Sequence, residues 1–220
     1  MEFIIQYLPQ ILQGFVITAE VTLFGALAGL ALGTLLAIGD LYGGKYLSTA
    51  ITFYVEFFRG SPLIIQLFIF YFAVPQVFNI LIDSFAIGLL IFSLNSAAYQ
   101  KGYMKGSIEV VSGDQMMAAR SIGLSRGQAI IHVVLPQALR LVIPAWGNEF
   151  ASLTKSTAAL LVIGVLELTG VAQTIAGQTF RNLEAYAFIA IIYLVWVIIV
   201  IKISDVVFEK VRIPGLEISK

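Results

Sequence analysis

Stretches of 17 to 23 residues without a charge recur along this chain, and four of them read as spans. Glu20 and Asp40 enclose the 19 residues VTLFGALAGLALGTLLAIG; Arg59 and Asp83 enclose 23; Asp83 and Lys101, and Glu184 and Lys202, enclose 17 each. A helix rising about 1.5 Å per residue needs about 20 apolar residues to cross ~30 Å of hydrocarbon, so these runs read as membrane spans. A fifth run, Gln128 to about Lys155, carries Pro136, Arg140, Pro144 and Glu149 but is otherwise apolar. Ser156 to Leu166 is apolar yet only 11 residues long. It reads as a half-helix or re-entrant piece, tolerated at membrane depth only where protein or a water-filled cavity covers it.

Composition removes the competing classes. Apolar residues make up 59% and charged residues 12%, with a mean hydropathy of +0.94; soluble domains run about half apolar and a quarter charged. Thirteen basic and thirteen acidic residues cancel, leaving no bulk attraction to nucleic acid. The absence of cysteine excludes disulfides, thiol chemistry and cysteine-bound metal, and one histidine makes no zinc site. The expectation is an all-α polytopic membrane protein. Residues 1–220 form a single transmembrane domain with spans at about 15–39, 61–82, 84–108, 129–154 and 185–204. The N-terminus shows no basic region or small-residue cleavage site, so the first span reads as retained.

Basic residues set the orientation. With five spans and the N-terminus outside, the cytoplasmic side holds Lys45, Arg59, Lys101, Lys105, Arg120, Arg126, Arg140, Lys202, Lys210, Arg212 and Lys220. Only Lys155 and Arg181 fall outside or at depth. The expected placement is a cell (inner or plasma) membrane, N-terminus outside and C-terminus cytoplasmic.

The largest polar interruption, Lys101 to Gln128, then lies in the cytoplasm. Gly113-Asp114 starts a helix there with Asp114 as N-cap, and Gly123 ends it in the left-handed region. A short helix at about 114–124 with a Met-Met-Ala-Ala edge suits docking on a partner; a membrane-surface linker is the other reading.

Polar groups inside the spans are the candidate substrate path. Lys155 sits among apolar residues, and spacings of four and three would place Asn148, Ser152 and Lys155 on one helical face. A helix break after Lys155 would add backbone donors at Ser156 and Thr157 for an anion. Alternatively, Lys155 snorkels to the outer interface. Asn95, Ser96 and Tyr99 in the third span, and Gln66 in the second, either line the path or bond between helices. Glu149 could meet a substrate ammonium, whereas Glu167 reads as a solvated external carboxylate. Arg59 reads as an interfacial anchor, with Pro62 in the first turn of the next span. Gly25, Gly29, Gly33 and Ala37 form a packing stripe, and His132 reads as packed or interfacial. No phosphate-binding Gly-x-x-x-x-Gly-Lys-Ser/Thr loop occurs, so the chain is not an enzyme by itself.

Ala118-Ala119-Arg-Ser-Ile-Gly123, followed by Ile131-His-Val-Val-Leu-Pro136, resembles the cytoplasmic loop of ABC-importer permeases. Arg59-Gly-Ser-Pro-Leu63, Asn95-Ser-Ala-Ala-Tyr99, Leu135-Pro-Gln-Ala-Leu-Arg140, Pro144-Ala-Trp-Gly-Asn-Glu149 and Val162-Ile-Gly-Val-Leu-Glu-Leu168 extend the match toward the polar-amino-acid branch. The resemblance implies five transmembrane helices with a coupling helix, the type I importer permease fold. It implies ATPase coupling through Asp114, Met117, Ala118, Ala119, Arg120, Gly123 and Leu124. The implied partners are ATP-binding subunits, a second permease subunit (the same or a different chain), an external substrate-binding protein and the bilayer. No cofactor or metal belongs to this chain; ATP and Mg are held by the ATPase. Departures accompany the match: Met117, Gly102 and Ser156 stand where the family carries acids. The rival reading is a gradient-driven secondary transporter or channel subunit, which would require intramembrane acids as a relay.

Overall fold

The computed structural model describes residues 2–214, and among them every regular element is a helix. α1 runs Glu2–Tyr42 and α2 Lys45–Gly60. α3 (Leu63–Phe78) follows after a bend of 104°. α4 spans Ser84–Ser121 and α5 Arg126–Leu141. α6 (Ile143–Ser156) passes directly into a 3₁₀ turn, Thr157–Ile163. α7 (Leu168–Thr179) and α8 (Asn182–Val211) complete the order. Lys220, one of the basic residues used for orientation, lies outside the described residues.

Prolines explain where the helices deform. Pro75 and Pro136 lack the N–H that an α-helix would bond to the preceding turn. The residues ahead of each, Ile69–Ala73 and Ile130–Val134, widen into π-turns. Pro144 lies just beyond Val142, where α5 and α6 bend by 54°, so the fifth apolar run is a broken helix and not one straight span.

By length and hydropathy, α1 and α8 qualify as spans outright, and α2–α3 and α5–α6 qualify as bent pairs. α4 is long enough, but Asn95, Ser96 and Gln100 lower its hydropathy. All three are buried, turned toward protein and away from lipid.

α1 lies along α4 through the small-residue stripe. A Cβ on Gly25 would meet Phe92, one on Gly29 would meet Ser96 and Gln100, and one on Gly33 would meet Ala97 and Lys101. One buried cluster joins Val21 and Ala26 to Leu67, Ile91, Phe92 and Phe150. A second packs Ile11 against α7 and α8. A third joins Ala37 to Met104, Ile108 and Val134 near the other end. There Asp40, 5% exposed, holds Lys101 at 2.8 Å and Lys105 at 2.9 Å and accepts from Ser48 at 2.6 Å.

Three expectations change. The segment at 114–124 does not begin a new helix, because α4 continues through Gly113-Asp114 to Ser121 and Asp114 caps nothing. An interior glycine costs only about 1 kcal/mol, and the buried Val111 beside it anchors the preceding turn. Its end is as expected: Gly123 has φ +90, with Gly123 N–H bonding Arg120 O and Leu124 N–H bonding Ala119 O. Glu167 is not solvated; it is wholly buried and caps α7 by accepting from Thr169 and Gly170 N–H. Tyr193 donates to the same carboxylate at 2.7 Å. Finally, no helix break follows Lys155.

Candidate functional site

The interruption between α2 and α3 brings a broken backbone and an exposed charge, Arg59, to one place. Gly60 ends α2, Ser61 is extended, and Pro62 enters α3. A broken helix leaves carbonyls at one end and N–H groups at the other without partners in their own ladder. Here side chains satisfy the carbonyls. Gln66 donates to Phe58 O at 2.8 Å and to Ser61 O at 3.1 Å. Asn95 donates to Phe58 O at 3.0 Å and to the Gln66 side chain at 3.1 Å.

Gln66, fully buried, is thereby an interhelical pin and does not line the cavity beside the break. Asn95 does both: it pins the break and reaches the cavity beside it.

That cavity measures about 480 Å³. Arg59, Ser61 and Leu63 contribute from the break, Asn95, Tyr99 and Tyr103 from α4, and Asn148, Glu149, Ser152 and Ser156 from α6. Asn148, Ser152 and Ser156 recur every four residues, the spacing that puts side chains on one helical face. Lys155 is off that stripe and does not line the cavity; it is exposed. Thr157 is buried, bonding Thr154 O at 2.8 Å and lying 3.3 Å from the Tyr193 hydroxyl. Its N–H already bonds the α6 carbonyls, so Ser156–Thr157 offers no free helix N-terminus to an anion. No helix N-terminus therefore stands beside Lys155 to bind an anion, because the helix runs on where a break was expected.

Two residues assigned other roles, or none, by sequence lie on the cavity wall. Arg59, read as an interfacial anchor, sits at the break with its guanidinium 5.0 Å from the Tyr99 ring centroid, a cation–π distance. Tyr103, unassigned before, donates to Glu149 at 3.5 Å. The Ser96 hydroxyl also reaches Glu149. Glu149 is 5% exposed and opens onto the same cavity. The Arg-Gly-Ser-Pro string was the available signal, since glycine and proline bracket a helix interruption. That it opens beside a carboxylate 90 residues later in the chain was not legible.

A second large cavity, also about 480 Å³, lies between α1, α6 and α8. Phe15, Trp146, Phe150 and Trp196 dominate its wall, with Glu20 on it. It lacks a set of converging polar groups and offers a polar solute little.

Among the residues expected to couple to an ATPase, Asp114, Met117, Ala118, Arg120 and Gly123 are exposed, Leu124 is half-buried and Ala119 is buried. The helical end therefore shows Met117 and Arg120 outward, with Ala119 as its inner contact.

Residues 25–213 match the family described as "Binding-protein-dependent transport system inner membrane component". A probable amino-acid ABC transporter permease, PatM of Vibrio harveyi, is 34% identical over 90% of this chain and 89% of its own. The glutamine transport permease GlnP of Escherichia coli K12 is 33% identical over 86% of each chain. The arginine transport permease ArtQ of Bacillus subtilis is 34% identical over 94% of this chain and 95% of its own. The fold superposes on a crystal structure of an amino acid ABC transporter with histidines, TM-score 0.85 and 31% identity, covering 94% of this chain and 97% of that one. A methionine ABC transporter structure, MetNI, at 19% identity and TM-score 0.72 over 94% of this chain and 96% of that one, shares the fold. The family match, the relatives and the all-helical architecture agree: this chain belongs to the binding-protein-dependent transport system inner membrane components, the permease subunits of ABC transporters.

Proposed function

We propose that this chain conducts a polar amino acid through the cavity between the α2–α3 break, α4 and α6, as one permease subunit of an ATP-driven importer. The observation that carries the reading is the pair of opposite charges on one cavity wall, Arg59 and Glu149, interleaved with hydroxyl and amide groups. Charged groups at membrane depth are expensive unless they face a polar space. An amino acid brings an ammonium and a carboxylate on adjacent atoms. Glu149 suits the ammonium, and Arg59, with a planar fork of donors, suits the carboxylate. Asn148, Ser152 and Ser156 remain to meet a polar side chain.

The rest of the assembly follows the family resemblance. ATP-binding subunits dock on the α4 end around Met117, Ala118 and Gly123 and supply ATP and Mg. A second permease subunit, identical or different, closes the path, and an external binding protein delivers the substrate. The chain lies N-terminus outside and C-terminus inside, as its basic residues favour. Five crossings result if α4 crosses alone, with α2–α3 and α5–α6 each counting as one.

The test is uptake of labelled amino acids into proteoliposomes holding the whole transporter with its binding protein. Glu149→Gln keeps shape and removes charge; losing a hydrogen bond to a charged group is worth about 1.5–3 kcal/mol, so uptake falls roughly tenfold to hundredfold. Unchanged uptake would remove Glu149 from the path. Uptake driven by an ion gradient without ATP would instead establish the secondary-transporter reading.

A further inference from the structure

A third cavity, about 470 Å³ and open to the surface, is lined by Val55, Glu56, Arg59, Gly60 and Tyr99. It shares Arg59, Gly60 and Tyr99 with the substrate cavity. The wall common to both is thus the guanidinium of Arg59 lying on the Tyr99 ring. Each cavity carries one carboxylate, Glu149 on one side and Glu56 on the other. No carboxylate comes within ion-pair distance of Arg59 among the described residues. Space surrounds this cation on both sides. A Cβ on Gly60 would meet nothing within 4 Å, and one on Gly102 would meet only the Arg59 Nη1, at 3.9 Å.

From this geometry we propose that the Arg59–Tyr99 stack is a substrate-opened latch between two compartments of the path. The proposal deepens the transport reading and rests on it. A cation held by a ring face at 5.0 Å is held weakly beside what a carboxylate offers. A substrate carboxylate arriving in the first cavity draws the guanidinium off the ring. The bare backbone at Gly60 and Gly102 gives the side chain room to move, and the wall opens toward Val55 and Glu56. A solute without a carboxylate leaves the stack closed. Arg59 therefore selects as well as binds, and Tyr99 is the positioning residue that parks it. Gly102 contributes by having no side chain: a longer residue there would project into the space the guanidinium uses.

The chain has no cysteine of its own, so single cysteines report access cleanly. Ser156→Cys marks the first cavity and Val55→Cys the third. The whole transporter, with ATPase and binding protein, is placed in proteoliposomes without ATP or amino acid. A membrane-impermeant maleimide is added to the side from which Ser156→Cys reacts. Val55→Cys is expected to react about two- to fivefold more slowly from that side, the scale an exposed cation–π contact supports. Adding Tyr99→Leu, similar in bulk but without a ring face, makes the two rates equal, whereas Tyr99→Phe preserves the gap. Arg59→Ala abolishes the gap independently, should the Tyr99 variants assemble poorly. In the parent transporter, a saturating amino acid speeds Val55→Cys labelling, and its decarboxylated amine does not.

Equal labelling of the two cysteines in the parent, or a gap that survives both Tyr99→Leu and Arg59→Ala, overturns the latch. Uptake by the cysteine-free parent in the same vesicles is scored separately. Its absence for every amino acid would sink the transport reading, while normal uptake with no labelling gap would sink the latch alone.

Discussion

Gly29 and Gly113 are both helical glycines, and the structure assigns their replacement by alanine opposite signs. A Cβ on Gly29 would stand 2.6 Å from Ser96 Oγ, 2.7 Å from Ser96 Cβ and 2.8 Å from Gln100 Nε2. Real carbon contacts do not come that close, so α1 and α4 must separate or Ser96 must turn. Overpacking of this kind costs about 1–3 kcal/mol. The displaced groups also bond: Gln100 donates to Ala26 O at 2.9 Å and to Ser96 Oγ at 2.8 Å. Hydrogen bonds between membrane helices are worth about 0.6 kcal/mol each. Allowing alanine its helix-propensity gain of about 1 kcal/mol, Gly29→Ala is expected to destabilise by roughly 1–3 kcal/mol. At Gly113 the same Cβ meets nothing within 4 Å, so only the propensity gain of about 1 kcal/mol remains and the variant is stabilised. The assay is reversible unfolding of the purified chain in mixed micelles, followed by circular dichroism. If Gly29→Ala proves as stable as the parent, or Gly113→Ala less stable, the reading of the α1–α4 seam is wrong. Because Ser96 also reaches Glu149, Gly29→Ala should lower amino-acid uptake as well, whereas Gly113→Ala should act on stability alone.

Gly123→Asp puts a side chain at φ +90, where non-glycine residues cost about 1–2 kcal/mol; it should leave membrane insertion intact and reduce co-purification with the ATPase. Asp40→Asn leaves Lys101 and Lys105 without their shared anion, and weakening charged hydrogen bonds in this half-buried cluster costs about 1.5 kcal/mol; micelle unfolding should show that loss, and Lys101→Met alone should be milder because Lys105 still holds Asp40. Lys155→Met, at an exposed side chain outside the cavity wall, should keep uptake near the parent level, and a loss of transport comparable with Glu149→Gln would return Lys155 to the path through contacts a second subunit makes.

Membrane residence, the helical class and the close α1–α4 seam were legible in sequence because each rests on local, repetitive features. A charge-free run of 19 residues between Glu20 and Asp40 has one low-energy fate in water and lipid, and Gly25, Gly29 and Gly33 recur at helical spacing whatever they face. Gly123 was legible too, since a glycine after a run of helix formers ends the helix by backbone sterics alone. What only the tertiary structure decided was which polar residues are structural and which face a cavity. Gln66 and Asn95 look alike in sequence, yet Gln66 is consumed by carbonyls of the α2–α3 break and Asn95 keeps a face on the cavity. Glu149 and Glu167 both border the same apolar piece, and the fold buries Glu167 as a helix cap while opening Glu149 toward Arg59. Lys155 stands off the cavity wall because the helix did not break after it, a cooperative outcome set by packing of Leu153, Leu160 and Ile163 into the central cluster. Arg59 came to notice because the ring it stacks on, Tyr99, and the carboxylate that shares its cavity, Glu149, lie 40 and 90 residues away in the chain. The pairing of charges across such separations depends on how helices are brought together, and helical periodicity carries no information about that.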